Sequence, residues 1–144
     1  MGNDVLPDSG SDFGQRVRRR LREEQVVWFT TVGADGTPQP NPVWFLWDEG
    51  ATALVYNRAD ANRLTHIASR ERVALQFDGD GHGGDIVVML GRAQLVEDVP
   101  APHANAAYVA KYGDAMTMVS GSPEAFSAAY PVAIAVQIER IRGH

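Results

Sequence analysis

The sequence predicts a mainly β fold of the α+β class: six antiparallel strands closed into a barrel, with helices packed outside. Two observations carry this. Six short runs rich in β-branched and aromatic residues are bounded by Gly, Asp and Asn turn signals, with helical segments interposed. Several of the runs are apolar on both faces, as strands buried within a barrel are.

Taken in order, Phe13, Val17 and Leu21 fall at i, i+4 and i+8 and predict a helix with one narrow apolar stripe. Arg16, Arg18, Arg19, Arg20 and Arg22 ring that helix, and Glu23-Glu24 follow, so a solvated helix is favoured over a nucleic-acid surface. Val26 to Val32 is a strand, Ala34-Asp35-Gly36-Thr37 a turn, and a second extended run continues through Trp44 to Trp47, making a hairpin. Pro38, Pro40 and Pro42 alternate along it, so one set of N–H groups is missing and only one side of the strand can be fully paired. Asn41 to Trp44 should therefore border a groove or an edge.

Asp48-Glu49-Gly50 turns the chain into a third strand, Ala51 to Tyr56. A helix follows over Ala61 to Ser69 with Asp60 as its expected N-cap, then a fourth strand over Arg72 to Phe77. The Gly-rich loop Asp78 to Asp85 opens a long fifth strand ending at Val96. Helices are expected over Ala101 to Tyr112 and Pro123 to Tyr130, with Ser120-Gly121-Ser122 capping the second, and a last strand over Val132 to Ile141. Residues 1–12 are Gly/Ser/Asp-rich and expected to be flexible; residues 13–144 form one domain.

Composition limits the function. The chain has 144 residues, enough for one sizeable core, and no cysteine, which excludes disulfides, thiolate catalysis and cysteine-held metals. A net charge of -5 argues against general affinity for nucleic acid or an anionic membrane, so basic sites must be local. No signal-like apolar segment and no run of eighteen apolar residues occur, and the expectation is a soluble cytoplasmic protein.

The local basic site is Tyr56 to Val73, where a strand runs into Asn57-Arg58-Ala59-Asp60 and a short helix carrying Arg63. A strand end delivers the backbone to a helix N-terminus, whose N–H groups and partial positive charge favour a phosphate, and Arg58 and Arg63 can add charge-assisted hydrogen bonds. The competing reading of Arg63 is a surface arginine paired with Asp60. Asp78, Asp80, His82 and Asp85 invite a calcium-loop reading, but the distal bidentate glutamate is missing, and a Gly-rich strand connection explains the loop better. His66, His103 and His144 have no mutual spacing that suggests a site.

From Val26 to Gly143 the order and residues resemble the split-barrel flavin and deazaflavin proteins, the superfamily of pyridoxamine-phosphate oxidases and the actinobacterial F-420-dependent reductases. The family pattern of a strand-end aromatic, a basic anchor seven residues later and an Asn-Pro-Arg turn reads here as Tyr56, Arg63 and Arg70-Glu71-Arg72, with the turn proline replaced by Glu71. Gly84-Asp85-Ile86-Val87-Val88, Lys111-Tyr112-Gly113 and Arg140-Ile141-Arg142-Gly143 are similar to the F-420-dependent subgroup.

The resemblance implies a six-stranded split β-barrel and a redox cofactor. The oxidase grip on FMN uses an arginine on the second strand and a Ser-Arg-Lys group at the helix start; here these positions are Asn41 and Ala61-Asn62-Arg63. That departure favours coenzyme F-420 over FMN, because F-420 carries a longer anionic tail. The implied cofactor residues are Asn41, Pro42, Val43 and Trp44 backing the ring, Tyr56 and Asn57 flanking it, and Arg58 and Arg63 holding phosphate. Tyr56 and Trp44 also fit a role in core or dimer packing.

The implied activity is hydride transfer between reduced F-420 and an electron-poor small-molecule acceptor, with no separate catalytic residue or metal required. The alternatives are an FMN-binding oxidase-like protein and a non-catalytic cofactor or tetrapyrrole carrier. A homodimer with the groove at its interface is implied, with neither nucleic acid nor membrane as partner.

Overall fold

The alternating prolines decide where the sheet ends. In the computed structural model, which describes residues 5–144, the elements are α1 (Asp12–Glu23), β1 (Val27–Val32), β2 (Pro38–Val43), β3 (Leu46–Trp47), β4 (Thr52–Asn57), α2 (Asn62–Ser69), β5 (Arg72–Gln76), β6 (Val87–Val96), a 3₁₀ turn (Pro102–Ala104), α3 (Ala106–Ser120), α4 (Pro123–Ala129) and β7 (Val132–Gly143). β2 keeps a six-residue antiparallel ladder to β1, with Pro38, Pro40 and Pro42 opposite Val32, Thr30 and Trp28. The N–H groups that proline removes are thus the ones facing away from β1, and β2 lies at an edge.

The described strands form one sheet of order β2-β1-β5-β6-β7-β4-β3. Its two edge strands, β2 and β3, are joined by Trp44 and Phe45 alone. Three Cα steps span at most about 11 Å, so the sheet must curl until its ends nearly meet. The result is a half-barrel split along a seam that Trp44-Phe45 crosses, the split barrel that the resemblance implied and not the closed one of the strand pattern alone.

Three local expectations are corrected. Seven strands replace six, because the run from Pro38 to Trp47 breaks at Trp44-Phe45 and its halves pair with opposite ends of the sheet. Asp60 does not cap α2: the N-cap is Ala61, with no side-chain cap, and Asp60 lies 3.5 Å from Arg58 instead. The helix expected to end at Tyr112 starts as a 3₁₀ turn and then runs from Ala106 to Ser120. Gly113 disfavours that continuation by roughly 1 kcal/mol, but Met116 beyond it is fully buried and holds the turn in place. The helix stops at Gly121, whose φ of 91° suits a left-handed C-cap. Ser122 caps α4, accepting from the Ala125 N–H at 3.0 Å.

The core has two parts. Inside the half-barrel, Phe29, Phe45, Val55, Leu75, Met89, Ile134 and Ile138 pack with Val17 and Leu21 of α1. Outside it, Tyr56, Tyr108, Tyr112, Met116, Phe126 and Ala133 form an aromatic cluster between the sheet and α3–α4. β6 and β7 cross closely at a bulge, where a Cβ on Gly91 would lie 2.1 Å from the Gln137 carbonyl oxygen.

The arginines of α1 are only partly solvated. Arg20 is buried and donates to the carbonyls of Asp78 (2.7 Å) and Asp85 (3.0 Å), and to Glu24 at 3.1 Å. Arg16 bonds the Asp85 carboxylate at 2.8 Å. These contacts fasten the Gly-rich 78–85 loop to α1 and engage its Asp85 as an ion-pair partner. Of the N-terminal segment, Leu6 is buried against the core and the Pro7 carbonyl accepts from Arg18 at 2.8 Å; residues 1–4 lie outside the described residues.

Candidate functional site

A cavity of about 490 Å³ opens between the barrel seam, the start of α2 and the α3–α4 pair. That is within the roughly 300–1,000 Å³ typical of small-molecule and cofactor sites. The seam supplies Pro42, Val43 and Trp44, the end of β4 supplies Tyr56, and the β4–α2 connection supplies Arg58, Ala61 and Arg63. The helical side supplies Tyr108, Val119, Phe126 and Tyr130.

The seam is held open in a defined shape by α3. Phe45 N–H donates to the Tyr112 hydroxyl at 3.0 Å, and that hydroxyl lies 2.7 Å from the Gln25 carbonyl. Lys111 Nζ donates to the Phe45 carbonyl at 2.9 Å and sits 3.8 Å over the Phe45 ring. Desolvation there lowers the Lys111 pKa to about 8, opposed by the nearby Glu24. Trp44, adjacent in the chain, stacks nearly parallel on Tyr112 (centroids 4.8 Å) and on Phe126 (5.3 Å), and Phe126 stacks on Tyr130 at 4.3 Å. Trp44, Phe126 and Tyr130 of this row form one wall of the cavity, with Tyr112 packed behind Trp44.

Its cationic end is Arg63. The guanidinium is half-buried and has no carboxylate within ion-pair distance among the described residues; Nη1 donates to Asn57 Oδ1 at 2.7 Å. Burial lowers its pKa from the ordinary arginine value. Asn57 is almost fully buried and donates to the carbonyls of Val55 and Val132, so the amide that steers Arg63 is tied to the β4–β7 ladder. α2 begins beside it with the Leu64 N–H on the Ala61 carbonyl at 3.1 Å and no side-chain cap for the N–H groups of Asn62 and Arg63, which an anion could meet. Arg58 is exposed at the rim, 5.9 Å over the Tyr130 ring.

Of the eight residues the sequence singled out, Pro42, Val43, Trp44, Tyr56, Arg58 and Arg63 come together at this cavity. Asn57 stands behind Arg63 as its support. Asn41 does not reach the cavity: it is exposed on the edge strand, opposite Phe29 in the ladder. The alternative pairing of Arg63 with Asp60 is not the one observed, since Asp60 meets Arg58. Trp44 serves both readings considered for it, lining the cavity and packing on the aromatic cluster.

Sequence reasoning missed the whole helical wall. Tyr108, Phe126 and Tyr130 lie 52 to 74 positions after Tyr56, and a helix with scattered aromatics carries no signal of what it covers. Tyr56 itself donates to the Pro100 carbonyl at 2.6 Å and accepts from Asn105 Nδ2 at 3.1 Å, so its hydroxyl is engaged while its ring faces the cavity.

The sequence model of the pyridoxamine 5'-phosphate oxidase family matches residues 13–144. No curated protein matches the sequence. Among solved structures, a Listeria innocua protein assigned as a pyridoxamine 5'-phosphate oxidase is similar at TM-score 0.61 and 21% identity, over 89% of this chain and 94% of that one. An F-420 reductase is similar at TM-score 0.61 and 21% identity, over 87% and 94%. HutZ, the haem storage protein of Vibrio cholerae, is similar at TM-score 0.65 and 13% identity, over 90% and 92%. At these identities the likeness establishes the fold.

Proposed function

The chain belongs to the pyridoxamine 5'-phosphate oxidase family, and we propose that it is a deazaflavin-dependent reductase that seats coenzyme F-420 in the cavity between seam and helices. The observation that carries this reading is Arg63, a half-buried guanidinium with no carboxylate partner among the described residues, set in the wall of an aromatic cavity at an uncapped helix start. A cation held away from water without a counter-ion is unfavourable unless an anion joins it.

Arg63 is half-buried in the cavity wall, and Arg58, 3.5 Å from Asp60, is exposed at the rim, so a second guanidinium lies outward of the first. That spacing supports a ligand with a phosphate followed by a longer anionic tail, and so F-420 over FMN. When bound, the deazaflavin supplies hydride to an electron-poor acceptor. The protein's part is to hold the phosphate on Arg63, pack the ring between Tyr56 and the aromatic row, and exclude water with Trp44 and Phe126. Orientation of this kind can lower a barrier by roughly 7–11 kcal/mol in favourable cases.

A second reading is a tetrapyrrole carrier, favoured by the likeness to a haem storage protein. Titrating the purified protein with F-420, FMN and haemin by absorbance separates the readings. Tightest binding to F-420, followed by its oxidation when an acceptor is added, is the expected result. Tight haemin binding with neither coenzyme retained would sink it.

A further inference from the structure

Tyr108 is about 1% exposed, lines the cavity, and its hydroxyl has no hydrogen-bond partner among the described residues. The neighbouring buried phenols differ: Tyr56 is bonded to Pro100 and Asn105, and Tyr112 to Gln25 and Phe45. Every side-chain nitrogen or oxygen sealed from solvent among the described residues has a partner. The Tyr108 hydroxyl is therefore not sealed; the sliver of surface this residue keeps includes its oxygen, and the space Tyr108 borders is the cavity.

A phenol that is nearly buried and unpaired is disfavoured relative to a paired one. Nothing about Tyr108 is loosely placed. Its ring meets Tyr56 edge-on at 4.8 Å and Tyr112 at 4.8 Å, and its backbone N–H is capped by Asn105 Oδ1 at 3.3 Å. Resting on the cofactor reading above, we propose that the Tyr108 hydroxyl is the hydrogen-bond donor for the buried end of the bound molecule, taking a carbonyl oxygen or ring nitrogen of its planar system.

Burial, reinforced by the phenols of Tyr112, Tyr56 and Tyr130, raises the Tyr108 pKa far above the ordinary tyrosine value. The proton stays on the oxygen at any working pH, so the group donates and does not act as a base. The ligand is then recognised at two points, an anion on Arg63 and an acceptor atom on Tyr108, which selects an oxygenated or nitrogenous ring over a plain hydrocarbon one.

The test is Tyr108→Phe, which deletes one oxygen and keeps the ring packing. The coenzyme-free variant is expected to melt at the wild-type temperature or above. Its dissociation constant for the coenzyme that the wild type binds, F-420 or FMN, should rise about five- to tenfold. The visible band of the bound coenzyme should also move toward its position in water. Unchanged affinity and spectrum overturn the assignment, and so does a variant that fails to fold or melts well below wild type, because an unpartnered hydroxyl cannot be needed for folding. A wild type that binds neither coenzyme overturns the cofactor reading itself, and the Tyr108 assignment with it.

Discussion

Asn57 Oδ1 accepts from Arg63 Nη1 at 2.7 Å, while Asn57 Nδ2 donates to the carbonyls of Val55 and Val132 at 3.0 and 3.1 Å. The position of the cavity's inner cation is therefore set by the β4–β7 ladder and not by the flexible arginine stem. Asn57→Ala removes both the support and a buried amide's three bonds. Urea unfolding should report a loss of about 1–3 kcal/mol, and coenzyme affinity should fall severalfold because Arg63 is no longer held in one geometry.

Arg63→Ala separates binding from folding. The guanidinium is desolvated and pairs with no carboxylate among the described residues, but its removal leaves the buried Asn57 Oδ1 without a donor, so coenzyme-free stability should fall by no more than about 1–3 kcal/mol. Coenzyme binding should weaken roughly ten- to hundredfold, the worth of one charge-assisted bond at about 1.5–3 kcal/mol. Urea unfolding measures the first and calorimetric titration the second; affinity equal to wild type would place the phosphate elsewhere.

Tyr112→Phe tests the seam. The Phe45 N–H that the hydroxyl accepts is buried on a segment with no ladder partner, and leaving it unpaired costs about 1–3 kcal/mol. Hydrogen exchange at the Phe45 amide should accelerate by at least the factor corresponding to the measured loss of global stability. Exchange faster than that at Phe45 alone would mean the seam opens locally.

Lys111 should make stability depend on pH in the alkaline range. Its pKa is lowered from 10.5 to about 8 in the folded chain, so between those values the unfolded chain holds a proton that the folded one has released. Stability then rises with pH through that window. The effect is small because the ammonium is partly solvated. Comparing melting temperatures of wild type and Lys111→Met from pH 7.5 to 10 isolates it: the difference should shift in favour of wild type as pH rises, and a constant difference would remove the assignment.

Much of the architecture was legible in the residues. The strand runs, the α1 stripe of Val17 and Leu21 and the β2 edge position follow from periodicity and from the missing N–H groups of three prolines. These are local consequences of covalent chemistry, which any fold built from this chain must respect. The break at Trp44-Phe45 was not legible, because nothing in Pro38 to Trp47 distinguishes one long strand from two that pair with opposite edges. Nor was the length of α3, where packing of Met116 outweighs the local preference of Gly113.

The site divides the same way. Tyr56, Arg58 and Arg63 lie within eight positions of each other on a strand, turn and helix, so their convergence is written in local geometry. The cavity itself is a product of distance in the chain: Trp44, Tyr108, Phe126 and Tyr130 come together only because the half-barrel curls and α3–α4 pack across its seam. Whether an aromatic ring lines a void or fills a core depends on what approaches its far side, and that is decided by long-range packing, which no local pattern encodes.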